Sequence, residues 1–169
     1  MALDTRSIYV SSLQSTHGLE MMALQIMQRQ VDRLENYPEM EAALRRHIAE
    51  THAQRDRLEE ALASVDASPS TVKEGVLGFI GNVMALGHVP AQDEILKNAF
   101  ANQAFENFEI AAYTSLITIA EAAGQSAYVP AFRTSLAEEE AMARTVAALV
   151  QPTTRRYVAL STAGATASH

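Results

Sequence analysis

The sequence predicts an all-α domain built as a bundle of four long helices. Three observations lead there. Glycine (7) and proline (5) are scarce in 169 residues, which disfavours a turn-rich β fold. Hydrophobic residues make up 48% of the chain, enough for a packed core. The few Pro and Gly positions divide the chain into long stretches with apolar residues three and four apart.

The first helix is expected from about Thr5 to Asn36. It follows Asp4, a suitable N-cap, and must stop before Pro38. A second is expected from Glu39 to Val65, ending at the Asp66-Ala67-Ser68-Pro69-Ser70 break. A short helix from Ser70 to Leu86 carries Gly75, Gly78 and Gly81 and ends at Gly87, with Pro90 beyond. A long helix from Ala91 to Ala123 stops at Gly124, and a last one runs from Ala127 to Val150, before Pro152. Residues 1–150 therefore form the bundle. Gln151 to His169 reads as a tail in which Tyr157, Val158 and Leu160 are available to pack on a partner subunit. Short loops join the first two long helices and the last two into hairpins. The short helix then lies in the long crossover of a ferritin-like four-helix bundle.

Composition narrows the function. A net charge of −7 argues against nucleic-acid binding. No apolar run reaches the length of a membrane span, so no membrane partner is expected. The start lacks the layout of a secretory signal, and there are no cysteines. A cytoplasmic location is the expectation. Tryptophan is absent, and neither a Gly-rich phosphate loop nor a Ser-His-Asp pattern is present, so no small-molecule substrate is indicated.

The informative residues are carboxylates on apolar faces. Glu20 shares a side with Leu13, Leu24 and Met27. On the second helix Leu44, His47, Thr51, Leu58 and Leu62 share a face, and Glu50 and Gln54 sit on it. Glu106 falls within the stripe of Leu96, Ile110, Tyr113 and Ile117, with Glu109 beside it, and Glu139 lies between Leu136 and Val146. Glu20 and Glu50 are 30 residues apart, and Glu106 and Glu139 are 33 apart. Two hairpins with matched glutamates suit a pseudo-twofold metal site. Buried carboxylates are costly unless bound to cations, and two divalent ions neutralise four of them. His47 and Glu109 are further candidate ligands. Tyr113 is placed to hydrogen-bond a ligand carboxylate. His17 is a weaker candidate, and His52 is expected to face solvent.

The motifs around these residues resemble a known family. His47-Ile48-Ala49-Glu50-Thr51-His52-Ala53-Gln54 resembles the His-Leu-Glu-Glu-Thr-x-x-Gln stretch of the YciF-type ferritin-like stress-response proteins of bacteria. Phe105-Glu106-Asn107-Phe108-Glu109-Ile110-Ala111-Ala112-Tyr113 resembles their Val-Glu-His-Tyr-Glu-Ile-Ala-x-Tyr, and Leu136-Ala137-Glu138-Glu139-Glu140 their Thr-Leu-x-Glu-Glu. The resemblance implies a ferritin-like fold, a homodimer and a metal centre, with iron as the first expectation and manganese or zinc left open. Ala49, Asn107 and Ala143 depart from the pattern, each removing a ligand or a ligand's partner. Two readings follow. One is a metal-binding protein with Glu20, Glu50, Glu106, Glu109, Glu139 and His47 around a di-iron or mononuclear site, reacting slowly with oxygen or peroxide. The other is a structural or scaffold dimer whose site is degenerate.

Overall fold

A computed structural model describes residues 4–69 and 92–169. The four long helices are α1 (Thr5–Val31), α2 (Pro38–Ala63), α3 (Glu94–Ala122) and α4 (Val129–Thr162), with one 3-10 turn at Ser126–Tyr128. The short helix expected over 70–86 lies outside the described residues. No helix among the described residues is long and apolar enough to cross a membrane.

Local chemistry sets most boundaries. The Asp4 carboxylate accepts from the Ser7 N–H at 2.7 Å and caps α1. That helix ends at Val31, five residues short of the expected Asn36. Residues 32–37 instead form a turn that tucks Leu34 and Tyr37 into the core, and Pro38 opens α2. Gly124, at φ 69°, closes α3 by letting Gln125 donate back to the Ala120 carbonyl at 2.8 Å.

The largest departure is at Pro152. The last helix was expected to stop before it, yet α4 passes through and ends at Thr162. Pro152 lies on the solvent side, where water can take the Ala148 carbonyl that loses its donor. Meanwhile Leu149, Thr153, Tyr157 and Leu160 keep an inward stripe three and four apart, so burial continues past the proline. The chain then folds back on its own first hairpin. Tyr37 Oη donates to the Ala167 carbonyl at 2.5 Å, and Asn36 Nδ2 donates to the His169 carbonyl at 2.9 Å.

The packing is cyclic. α1 lies against α2 and α3, and α4 lies against α3 and α2. The end of α2 sits beside the start of α1, where Arg6 donates to the Val65 carbonyl. The start of α3 sits beside the end of α1, where Arg33 pairs with Glu94 at 2.9 Å. So α2 and α3 run the same way, the up-down-down-up order of ferritin-like bundles. Apolar residues form two clusters, one at each end. One holds Leu19, Met27, Leu44, Phe105 and Val146, and the other Tyr9, Leu13, Leu58, Leu116 and Phe132. Each fully buried leucine contributes about 1.5–3 kcal/mol. A polar layer separates the two clusters.

A candidate metal centre between two apolar clusters

The polar layer takes one turn or two from each helix. α1 contributes Glu20, α2 contributes His47, Thr51 and Gln54, α3 contributes Glu106, Glu109 and Tyr113, and α4 contributes Ser135 and Glu139. All are buried, and Glu20 and Glu139 are wholly inaccessible to solvent. They sit inward because each occupies a position in its helix's apolar stripe.

Single donor atoms from His47, Glu106, Glu109 and Glu139 lie within 4.8 Å of one another. That spread suits atoms around one ion at roughly 2.0–2.2 Å bonds, where opposite ligands are about 4 Å apart. His47 Nδ1 is 2.9 Å from Glu50 Oε2, and its Nε2 is 3.3 Å from Glu106 and 3.5 Å from Glu139. With the Nδ1 hydrogen held by Glu50, a neutral ring would turn its Nε2 lone pair toward the carboxylates. This is how metal-binding imidazoles are usually oriented. Tyr113 Oη donates to Glu20 Oε1 at 2.5 Å.

Many polar atoms in this layer have no hydrogen-bond partner. They are His47 Nε2, Glu20 Oε2, Glu106 Oε2, Glu109 Oε1, both oxygens of Glu139, and Oε1 and Nε2 of Gln54. His47 Nε2 is close to two carboxylates but aligned with neither. Buried polar atoms left in this state cost about 1–3 kcal/mol each, more if charged. The residues present therefore fit a cation. Their oxygen-and-imidazole donor set suits iron, manganese or zinc rather than a thiolate-seeking metal.

Without a cation the layer holds protons instead. Burial, then the Glu139 carboxylate, keep Glu20 well above its ordinary pKa, and the Tyr113 hydrogen bond only partly opposes them. Burial, then Glu139, Glu20 and Glu106, do the same to Glu109. Burial lifts Glu106 to about 7 against the pull of His47. For His47, burial works downward, yet Glu106 and Glu139 outweigh it and push the imidazole up to about 11. Burial, then Glu20, hold the Tyr113 hydroxyl well above its usual range.

The structure brings together five of the six expected ligands and sets one apart. Glu20, Glu106, Glu109, Glu139 and His47 share the layer. Glu50 does not point into it: its side chain is 35% exposed and meets only the outer edge of His47. The inward position of α2 at this height belongs to His47. His17 is separate again, paired with Glu59 at 3.1 Å. The sequence reading missed a clasp beside the layer. Arg57 pairs with both oxygens of Glu138, at 2.6 and 3.0 Å, and with the Ser135 hydroxyl at 3.0 Å, tying α2 to α4. Only the seven-residue step from Glu50 to Arg57 along one side of α2 hinted at it.

Residues 4–159 match the family described as "Domain of unknown function (DUF892)". The chain belongs to that family. Solved structures agree on the fold. A protein from Xanthomonas campestris pv. campestris is 28% identical, with a TM-score of 0.75 over 88% of this chain and 93% of its own. The Escherichia coli stress protein YciF is 21% identical, with a TM-score of 0.76 over 88% of this chain and 96% of its own. YcfI from Rhodopseudomonas palustris is 22% identical, with a TM-score of 0.73 over 85% of this chain and 93% of its own. The YciF-type resemblance carried by the motifs is thus borne out by family and fold.

Proposed function

We propose that the protein is a ferritin-like metal-binding protein of the stress-response type, holding divalent iron in the buried layer. The observation that carries this reading is the set of unpartnered donor atoms of His47, Glu20, Glu106, Glu109 and Glu139 in a closed core. Glu139 is the strongest charged neighbour of both Glu20 and Glu109. That supports a dinuclear arrangement, which His47, Glu20, Glu106, Glu109 and Glu139 would hold among them. Four carboxylates balance two divalent ions. Iron held there would supply redox chemistry toward oxygen or peroxide. Tyr113 orients Glu20, and the two apolar clusters keep bulk water out.

The same reading includes a homodimer. Support comes from surface charge. Between Arg6 and Arg29 on α1, and between Lys97 and Glu121 on α3, the only acidic or basic side chains apart from His17 are the buried Glu20, Glu106 and Glu109. Phe100 is exposed on that side. The outer faces of α2 and α4 carry Arg45, Glu60, Arg144 and Arg155 instead. Light scattering on the purified chain is expected to give twice the chain mass, and a monomer at micromolar concentration refutes it.

Elemental analysis of untagged protein grown with iron tests the metal. About one to two ions per chain are expected, because a cation bound only by the folded state co-purifies with it. Loss of that metal in Glu106→Ala confirms the site. A metal content near zero in wild type, with melting indifferent to chelator, favours the scaffold reading that Ala49, Asn107 and Ala143 suggest.

A further inference from the structure

The buried layer is covered at both ends and beside Glu20. Its two ends abut the apolar clusters, and Tyr113 covers Glu20. Along the α2–α4 seam, Arg57 and Glu138 close the gap at one height. Two turns earlier on the same side of α2, at Glu50, that clasp has no equivalent. Glu50 pairs within its own helix, with His47. It is the only solvent-facing carboxylate among the described residues with a hydrogen bond or ion pair to a member of the layer. From it, ligand-type atoms continue inward at 2.9 Å to one nitrogen of the His47 ring and at 3.3 Å from the other nitrogen to Glu106.

We propose that the seam at Glu50 is the route by which a divalent cation reaches the buried layer, with Glu50 taking the hydrated ion from water and His47 passing it to Glu106. The proposal rests on the metal-binding reading of the layer. A bare dication in a low-dielectric core is prohibitively costly, so an uptake path needs a donor at each step. Glu50, His47 and Glu106 provide such a string. Waters on the ion are replaced in turn by the Glu50 carboxylate, by His47 Nε2, whose proton leaves to water as the ion binds, and by an oxygen of Glu106. Glu50 gives up its hydrogen bond to Nδ1 when it takes the ion. Its exposure gives the carboxylate room to turn outward, which none of the buried glutamates has. Glu50 is therefore a capture residue rather than a permanent ligand.

The two roles differ kinetically. A capture residue lowers one barrier crossed in both directions, so removing it slows uptake and release together and leaves the equilibrium in place. A permanent ligand, or a fixed support of the His47 ring, speeds release when removed and weakens affinity. The test is stopped-flow absorption of Co²⁺ entering the metal-free full chain, comparing wild type, Glu50→Gln, Glu50→Asp and the exposed control Glu60→Gln. Glutamine can still accept from His47 Nδ1, which preserves the ring's orientation. In Glu50→Gln, association and dissociation rates should both fall more than about tenfold, the scale of local charge capture, with Kd within about threefold of wild type. Glu50→Asp should fall between, and Glu60→Gln should match wild type. Rates in Glu50→Gln equal to those of Glu60→Gln overturn the proposal. So does faster release at unchanged uptake. If wild type itself takes up no Co²⁺, the metal reading fails and takes this inference with it.

Discussion

The two hairpins meet the buried layer on unequal terms. The α3–α4 hairpin supplies Glu106, Glu109 and Glu139, all buried and with four oxygens unpartnered. The α1–α2 hairpin supplies Glu20, one of whose oxygens is already engaged by Tyr113, and His47, whose outer nitrogen is held by Glu50. Near-equal glutamate spacing in the two hairpins suggested symmetry, but the symmetry stops at the backbone. One hairpin provides most of the unpartnered carboxyl oxygens. The other provides an imidazole in a fixed orientation and a link to solvent. A pair of helices can thus keep the same fold while dividing the work of one site.

The sharpest way to break this contrast is to remove a carboxylate from each hairpin. Glu139→Ala should lower metal affinity at least about 100-fold, and Glu50→Gln should change it by no more than a few-fold. Calorimetric titration with Mn²⁺ measures both. Equal losses would restore the symmetric site.

The next effect is a reversal of sign. In metal-free protein at pH 8, Glu109→Leu should stabilise the fold by about 1–3 kcal/mol, since it removes a buried carboxyl group whose Oε1 has no hydrogen-bond partner. With metal present it should destabilise. Urea denaturation with and without metal checks this, and destabilisation in both states would mean the layer is satisfied without a cation.

Acidity gives a related expectation. Glu20, Glu109, Glu106 and His47 all have folded-state pKa values above their ordinary ones. Folding therefore takes up protons. The resulting stability is complete below the unfolded carboxylate value of 4.5, and it is lost as pH rises through the folded values, about 7 for Glu106 and about 11 for His47. The metal-free Tm should fall between pH 5.5 and 8.5, and saturating metal should flatten or invert that slope.

Two smaller effects compare the supports of the hairpins. Tyr113→Phe leaves Glu20 Oε1 without its donor and should cost about 1–2 kcal/mol in metal-free protein. Arg57→Ala opens the clasp to Glu138. Both side chains there are about a quarter exposed, so the loss should be under about 1 kcal/mol. Chemical denaturation ranks the two, and a larger loss for Arg57→Ala would make the clasp, not the layer, the main tie between hairpins.

Most of the fold was legible because helical periodicity is a local property. The inward placement of Glu20, Glu106 and Glu139 followed from the same count, since each replaces an apolar residue in its stripe. Glu50 shows the limit of that method. Position 50 lies at the margin of the α2 stripe, and only the neighbouring helices decide that 47 points in and 50 points out. Pro152 shows another. The rule that proline ends helices assumes a buried, needed hydrogen bond, and here the carbonyl faces water while the half-buried Tyr157 and Leu160 still pack on the core. The Arg57–Glu138 clasp joins residues 81 apart, and nothing local announces it.

The polar layer between two apolar clusters also acts as a ruler. Hydrophobic faces alone tolerate sliding, because leucine against methionine packs nearly as well one turn away. Moving α3 by one turn, about 5.4 Å, would carry Glu106 and Glu109 out of the layer and into an apolar cluster. Such a slip would bury carboxyl groups with no hydrogen-bond partner, a penalty of about 1–3 kcal/mol each. The glutamates thus fix the axial alignment of all four helices before any ion arrives, much as a single polar residue fixes the register of a coiled coil.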